Sequence, residues 1–130
     1  MKTKVLLFNL VLFSIIFLSC QTDIVNQPDK ITLKSYVGSV TVSSKINNKV
    51  SFIAKASWHS GCGNFSHFTS TKTDNVFYIT VYGEQPNDAV CTLAIIEYDA
   101  PIEISIEESG KYTFRFWRSD ATTLDTTITF

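Results

Sequence analysis

The amino-acid sequence predicts an all-β fold, a sandwich of about seven or eight short antiparallel strands. Three observations support this prediction. Apolar and polar residues alternate along most of the chain after residue 30, which is the period of half-buried strands. The same region lacks the 3.6-residue apolar period of an amphipathic helix. Turn-forming asparagine, aspartate, glycine and serine residues interrupt the alternation at short intervals, as they do in sandwiches of short strands.

The first part of the folded region contains two predicted stretches of strand. Ile31, Leu33 and Val37 begin the apolar pattern. Residues 45–49 include two asparagines and predict a turn, because asparagine tolerates positive φ. Residues 50–56 then alternate strictly and predict a strand.

The middle of the chain is less regular. Residues 64–70 show no period-two face, whereas residues 72–75 predict a turn and residues 76–82 a strand. Residues 83–88 predict a loop, because their proline cannot lie in a central strand. Residues 90–96 are apolar on both faces, which predicts a central strand buried on both sides.

The last third has the clearest alternation. Isoleucines alternate with polar residues over 102–107, and aromatic residues do so over 112–117. Turn-forming residues at 108–111 and 119–121 separate these predicted strands, and residues 124–130 form the last one.

The first twenty residues differ from the rest. Lys2 and Lys4 precede a largely apolar run over residues 5–18, the layout of a secretory signal peptide. The run is shorter than the roughly 20 residues that a membrane-spanning helix requires. We therefore predict a helical signal peptide over residues 1–19, with a retained N-terminal anchor as the alternative.

The end of this segment suggests how the mature chain begins. Phe17-Leu18-Ser19-Cys20 resembles the lipobox of bacterial lipoproteins. The resemblance implies cleavage before Cys20, lipid attachment to Cys20 and a membrane tether of acyl chains. Gln21 stands where lipoproteins retained in an inner membrane carry aspartate, which implies a cell envelope location at the outer membrane.

These features divide the chain into a signal peptide at 1–19, a tether at 20–30 and a β-sandwich domain at 31–130. The tether is polar and contains Pro28, a composition typical of a flexible linker. An irregular first edge strand is the alternative for this segment.

The cysteine count fits an exported protein. The chain has three cysteines, and lipidation of Cys20 leaves Cys62 and Cys91. Disulfides persist in exported proteins, so we predict a bond between these two in preference to two free buried thiols.

A short stretch near the C-terminus narrows the fold class. Residues 110–114, Gly-Lys-Tyr-Thr-Phe, resemble the Gly-x-Tyr-x-Cys stretch of immunoglobulin-like domains. In that family the tyrosine hydroxyl bonds to the preceding chain and fixes a corner. The resemblance implies an immunoglobulin-like sandwich in which Phe114 replaces the family cysteine. The alternative is an ordinary hairpin with glycine in its turn.

The charge argues against nucleic acid as a partner. The formal net charge is −1, and removal of Lys2 and Lys4 leaves nine basic residues against twelve acidic ones, a net charge of −3. Neutralising phosphates requires clustered lysine and arginine, which this sequence lacks.

Few residues predict chemistry. His59 and His67, with Asp74 or Glu84, could supply zinc ligands, but their spacing matches no tight ligand pair. No Gly-x-Ser-x-Gly motif is present. We therefore expect no enzymatic activity, no metal and no cofactor, and we keep a small hydrolase or metal-binding protein that uses the His59–His67 region as the alternative.

Five acidic residues cluster in the sequence between the predicted central strand and the last turn. A glycosidase-like carboxylate pair requires a cleft that sequence cannot reveal. Alternation of Glu103 and Glu107 with isoleucines predicts the solvated face of a strand instead. The five residues are Glu97, Asp99, Glu103, Glu107 and Glu108.

Aromatic residues give the better functional prediction. Trp58, Tyr82, Tyr98 and Trp117 lie near predicted strand ends or opposite the apolar faces. Exposed aromatic residues suit binding surfaces, because they offer a large contact area at low entropic cost. We therefore expect a non-catalytic, lipid-anchored module that binds a protein or a glycan. The alternative is that Trp58 and Trp117 cover the ends of the core.

One further motif concerns modification. Asp125-Thr126-Thr127 resembles the acidic-hydroxyl motif for protein O-glycosylation in some bacteria that are rich in lipoproteins. A match of three residues leaves open whether Thr126 is glycosylated.

Overall fold

A computed structural model describes residues 29–130, which form strands and their connections only. The predicted signal peptide and all but the last residues of the predicted tether lie outside this range. Among residues 29–130 no helix is long and apolar enough to cross a membrane. The strands are β1 (Lys30–Lys34), β2 (Tyr36–Ile46), β3 (Lys49–Trp58), β4 (Asn64–Thr73), β5 (Val76–Pro86), β6 (Ile96–Ser105), β7 (Lys111–Ser119) and β8 (Thr122–Thr129).

The eight strands form two sheets, which confirms the predicted β-sandwich. The smaller sheet has the order β2-β3-β6 and is antiparallel throughout. The larger sheet contains β1, β4, β5, β7 and β8.

Strand β5 organises the larger sheet. One of its edges pairs with β4 along most of its length. The other edge is shared, since β7 pairs with residues 76–79 and β1 with residues 82–86. The β5–β7 pair is parallel, whereas all other strand pairs in the described region are antiparallel, including β7–β8. The predicted all-antiparallel pairing is therefore corrected at this one pair.

The core lies between the inner faces of the two sheets. Phe52 of β3 is fully buried and packs against Phe114 and Phe116 of β7, with ring centroids 4.9 Å and 5.4 Å apart. Phe77 of β5 stacks on Phe114 at 5.3 Å. The isoleucines of β6 and the alternate residues of β3 complete this layer, as the alternation predicts.

Two predicted turns form where the sequence places them. Asn47 has a φ of 54° between β2 and β3, and Asp74 has a φ of 52° between β4 and β5. Asparagine and aspartate adopt this left-handed conformation more readily than other side-chain-bearing residues.

The tyrosine expected to fix a corner does so. The Tyr112 hydroxyl donates a hydrogen bond of 3.0 Å to the carbonyl oxygen of Glu108, four residues upstream. The ring is 3% exposed and contacts the core. The bond therefore ties the β6–β7 connection to the start of β7.

The predicted central strand at residues 90–96 is wrong. Only Ile96 belongs to a strand, and Val90, Leu93 and Ile95 are among the most exposed apolar residues of the protein. The segment forms the connection between β5 and β6, and β6 pairs with β3 in its place. Its apolar side chains therefore lie on the surface and do not contribute to the core.

One strand was not predicted, and another extends beyond its predicted limit. Residues 64–73 form β4, an edge strand whose side chains are mostly exposed, so no clear alternation marks it. The predicted loop at 83–88 is corrected in part, because β5 continues to Pro86 by pairing with β1. Pro86 lies at the end of the strand, where its missing N–H group is tolerated.

Candidate functional site

The candidate site lies where the chain passes from one sheet to the other between β1 and β2. Ser35, at this crossing, is 1% exposed, and its backbone N–H donates to the carbonyl oxygen of Val81 at 2.9 Å. Its hydroxyl accepts a hydrogen bond of 2.5 Å from the Tyr98 hydroxyl. These two bonds fix the crossing against both sheets, because Val81 belongs to β5 and Tyr98 to β6.

A cleft of about 280 Å³ opens beside this crossing. Its lining combines apolar and aromatic side chains with one lysine and one histidine, and it contains no acidic residue. Larger clefts occur elsewhere, but the largest of those described, near the β2–β3 turn, has no aromatic residue in its lining. The lining residues are Leu33, Lys34, Tyr36, Ser57, Trp58, His59, Ile95 and Trp117.

Trp117 and Tyr36 provide the accessible aromatic surface of the cleft. The Lys34 ammonium nitrogen lies 5.2 Å from the centre of the Trp117 ring. The Arg118 guanidinium lies 5.0 Å from the centre of the Tyr36 ring and donates a hydrogen bond to the Tyr36 hydroxyl. Cations at this distance from aromatic rings are attracted to them. The cleft therefore has aromatic side chains in its walls and positive charges at its edge.

Trp58 is buried and forms the end of the core. It is 2% exposed, and its ring lies so close to Gly63 and Gly83 that a Cβ atom at either position would collide with it. Its ring N–H donates to the Gln85 side-chain oxygen at 2.7 Å, and that oxygen also accepts a bond from Ser60. Trp58 therefore cannot offer the exposed ring that a binding surface requires, although it contributes to the wall of the cleft.

The other two candidate aromatics lie outside the cleft. Tyr82 is on the outer face of the larger sheet, where its ring stacks on His67 with centroids 4.7 Å apart. Tyr98 packs against the core beneath Gly83, and burial raises the pKa of its hydroxyl. Of the four predicted residues, Trp58 and Trp117 line the cleft, whereas Tyr98 contacts the same buried region as Trp58 and Tyr82 lies apart.

The predicted cysteine pair is bonded at the same end of the molecule. Cys62 and Cys91 form a disulfide with Cα atoms 5.5 Å apart. It joins the β3–β4 connection to the β5–β6 connection. Cys20, the predicted lipid attachment site, lies outside the described residues.

Family comparison agrees with this architecture. Residues 52–129 match the model of the ORF11 beta-sandwich domain. The chain belongs to this family. The matched region includes the disulfide, Trp58 and Trp117, whereas β1, β2 and the first three residues of β3 precede it. No curated protein and no solved structure matches the chain.

The cleft of this ORF11 beta-sandwich domain is therefore lined by residues from two parts of the chain, the matched family region and the strands that precede it. Trp117, Ile95 and His59 come from the family region, but Leu33, Lys34 and Tyr36 come from strands before it. Sequence reasoning missed the latter three and Arg118. Leu33 belongs to the apolar alternation and was therefore interpreted as a core residue. Nothing in the local sequence pattern indicates that Tyr36 lies beside Trp117.

The histidines do not come together in a metal site. His59 stacks on Trp58 with ring centroids 4.8 Å apart, whereas His67 stacks on Tyr82. No group of three or more histidine, cysteine, aspartate or glutamate residues suited to a metal ion occurs within residues 29–130.

Two members of the sequence cluster of acidic residues are paired on the outer face of the smaller sheet. Glu103 accepts a bond of 2.6 Å from Lys49, and Asp99 accepts one of 2.7 Å from Lys55. All four side chains are more than half exposed. These contacts are cross-strand ion pairs of a solvated face, as the alternation with isoleucines predicts for Glu103.

The Asp125-Thr126-Thr127 motif lies within β8. Thr126 is half-buried and pairs with Phe114 of β7, on the core side of the sheet. The Asp125 carboxylate accepts bidentate hydrogen bonds from Arg115, with Nε donating to Oδ1 and Nη2 to Oδ2, and these bonds lower the pKa of Asp125. The Asp125 side chain of the motif therefore already has a structural partner, and Thr126 lies on the core side of its strand.

An ion pair holds β1 against β5. Lys30 donates a bond of 2.5 Å to Glu84, and Ser66 of β4 donates one of 2.9 Å to the other carboxylate oxygen. The Lys30 bond, followed by that from Ser66, holds the pKa of Glu84 below its ordinary value near 4.5. Stability from this carboxylate is therefore present above about pH 4.5 and is lost as the pH falls through the lowered pKa.

Replacing Lys30 with glutamine is expected to raise the pKa of Glu84 towards its ordinary value, because the strongest bond to the charged form is removed. A carbon-detected NMR titration of the Glu84 carboxyl measures this change. Lys49→Gln is the matched control, since Lys49 pairs with Glu103 and should leave Glu84 unchanged. An unaltered Glu84 pKa in Lys30→Gln would contradict the assigned contact.

Proposed function

We propose that this protein is a lipid-anchored, non-catalytic binding module of a bacterial cell envelope, and that it holds a protein or a glycan in the cleft beside Trp117. The observation that carries the proposal is the cleft itself, with its aromatic walls and cationic edge. The lipid anchor rests on the lipobox resemblance around Cys20, and the outer membrane is the proposed location.

The size of the cleft indicates what can enter it. A volume of about 280 Å³ is just below the roughly 300–1,000 Å³ range of ligand pockets. This is room for one sugar ring or one side chain of a protein partner. Flat aromatic rings such as Trp117 and Tyr36 can contact either, because both ligands present apolar faces.

The edge of the cleft favours a ligand with hydrogen-bond acceptors. The Arg118 Nε–H group is buried and has no partner among residues 29–130. This N–H group is enclosed by protein, so a ligand acceptor would be attracted by the charge of the guanidinium and not by this donor itself. Lys34 adds a second cation on the same side as Trp117.

A glycan array and a pull-down from envelope extract test this function with three proteins. We expect the wild-type protein to retain a ligand and Trp117→Ala to bind it at least about tenfold more weakly, since aromatic anchors carry much of an interface's binding energy. Tyr78→Ala is the matched control. It removes another exposed aromatic ring from the same sheet, but outside the cleft. No ligand, or equal losses in both variants, would contradict the proposal.

A further inference from the structure

The β5–β6 connection displays an unusual set of apolar side chains. Val90 and Leu93 are as exposed as in an extended chain, at 102% and 101%, and Ile95 is 80% exposed. Residues 89–96 contain no charged side chain. Folded proteins seldom leave contiguous apolar residues in water unless the patch contacts a partner or a membrane. We call residues 89–95 the apolar loop.

The apolar loop is held in place by bonds to the β3–β4 connection. The Cys62–Cys91 disulfide joins it to the β3–β4 connection. The backbone N–H of Gly61 donates a bond of 3.0 Å to the carbonyl oxygen of Thr92, which also accepts a bond from Ala94. The loop is therefore presented on a fixed base, so its side chains can be buried elsewhere with little loss of backbone entropy.

The chain enters the sandwich at the base of this loop. The backbone N–H of Asn87 donates a bond of 2.8 Å to the carbonyl oxygen of Asp29. Cys20 is nine positions before Asp29. Nine residues span at most about 30 Å when extended, and on average about 15–18 Å as a flexible coil. A lipid on Cys20 would therefore keep this end of the sandwich close to the membrane.

The charges around the loop identify the kind of contact. Asp88 and Glu97 flank it, and Asp29 lies at its base. No lysine or arginine occurs between residues 86 and 96. Attraction to anionic headgroups would require such residues. Burial of the apolar side chains themselves is the contact that this composition favours.

We propose that the apolar loop inserts Val90 and Leu93 into the surface of the lipid bilayer, as a second membrane contact beside the acylated N-terminus. The inference rests on the lipid anchor of the proposed function, which brings the bilayer within reach. The acyl chains tether only the N-terminus, whereas a second contact would fix the orientation of the sandwich against the bilayer. Ile95 also lines the cleft and is not needed for the argument.

Site-specific photo-crosslinking in the full chain tests this proposal. The photoreactive residue benzoylphenylalanine replaces Leu93, or Asn75 as the control, and the proteins are produced in a bacterial host. Asn75 is exposed and lies in the β4–β5 turn at the opposite end of β5. Membrane fractions are irradiated, and phospholipid adducts are measured by mass spectrometry. The N-terminal peptide of each sample is analysed for acylation at Cys20.

We expect at least about ten times more phospholipid adduct from position 93 than from position 75. Adding Val90→Asp to the Leu93 probe should reduce this yield several-fold, because a charged residue would lie beside the inserted one. Equal yields at the two positions, or a protein adduct at position 93, would overturn the proposal.

The acylation readout separates the two claims. Acylated Cys20 without a lipid adduct at position 93 would uphold the anchor and overturn loop insertion. A lipid adduct at position 93 without acylation would uphold insertion and contradict the anchor.

Discussion

Replacing Trp58 with alanine is expected to lower the free energy of unfolding by about 3–5 kcal/mol, the usual range for truncating a large buried aromatic residue. The ring fills the space between Gly63 and Gly83, and neither glycine has a side chain that could close the resulting cavity. The change also leaves the Gln85 oxygen without one of its two donors. A loss of this size is a large part of the total stability of a small domain, roughly 5–15 kcal/mol.

Urea unfolding followed by circular dichroism measures the effect. Trp58→Phe is the conservative comparison, since it keeps most of the apolar volume and should cost clearly less than the alanine variant. Tyr78→Ala is the surface control, since this residue is 42% exposed, and it should change stability by less than about 1 kcal/mol. A Trp58→Ala variant as stable as Tyr78→Ala would refute the assignment of Trp58 to the core.

Removal of the disulfide is the second large effect. Replacing both Cys62 and Cys91 with serine is expected to lower the free energy of unfolding by roughly 3–4 kcal/mol, from the loop-closure entropy of a bond across 29 positions. The loss should be accompanied by increased mobility of the apolar loop, because Gly61–Thr92 is the one remaining bond in the described region from that loop to the β3–β4 connection.

Chemical reduction provides the control for this prediction. Wild-type protein in excess reductant should unfold at the same urea concentration as the double serine variant, and the variant should not respond to reductant. If the variant were as stable as the oxidised wild type, the bond would contribute nothing to the fold.

The alternation of apolar and polar residues predicted strands correctly where a strand has one buried and one solvated face. The strands at residues 50–56, 76–82 and 112–117 were predicted on this basis, and each has one buried face in the structure. Edge strand β4 escaped prediction, because an edge strand with few buried side chains imposes little pattern on its sequence.

Hydrophobicity misled at residues 90–96 for the opposite reason. A run of apolar residues indicates that burying these side chains is favourable. It does not indicate whether the core of the same domain or another apolar surface buries them. A central strand and a surface loop that contacts an apolar partner therefore look alike in sequence. The exposure of Val90 and Leu93 distinguishes them.

The cleft could be predicted only in part. Trp58 and Trp117 were candidates because of their residue type. Lys34 and Tyr36 lie beside them only because the chain passes from the larger to the smaller sheet between β1 and β2. That crossing depends on the register of β1 against β5, which is a contact between residues about fifty positions apart. Local patterns contain no information about such a pairing.

Acylation of Cys20 is the most direct test of a sandwich displayed at the cell envelope by a lipid. The protein and a Cys20→Ala variant are produced in a bacterial host supplied with labelled palmitate, and precursor and mature forms are separated by mass. The account predicts label and cleavage before Cys20 in the wild type, and unlabelled precursor in the variant. Equal labelling of the two proteins, or a wild type without label, would contradict it.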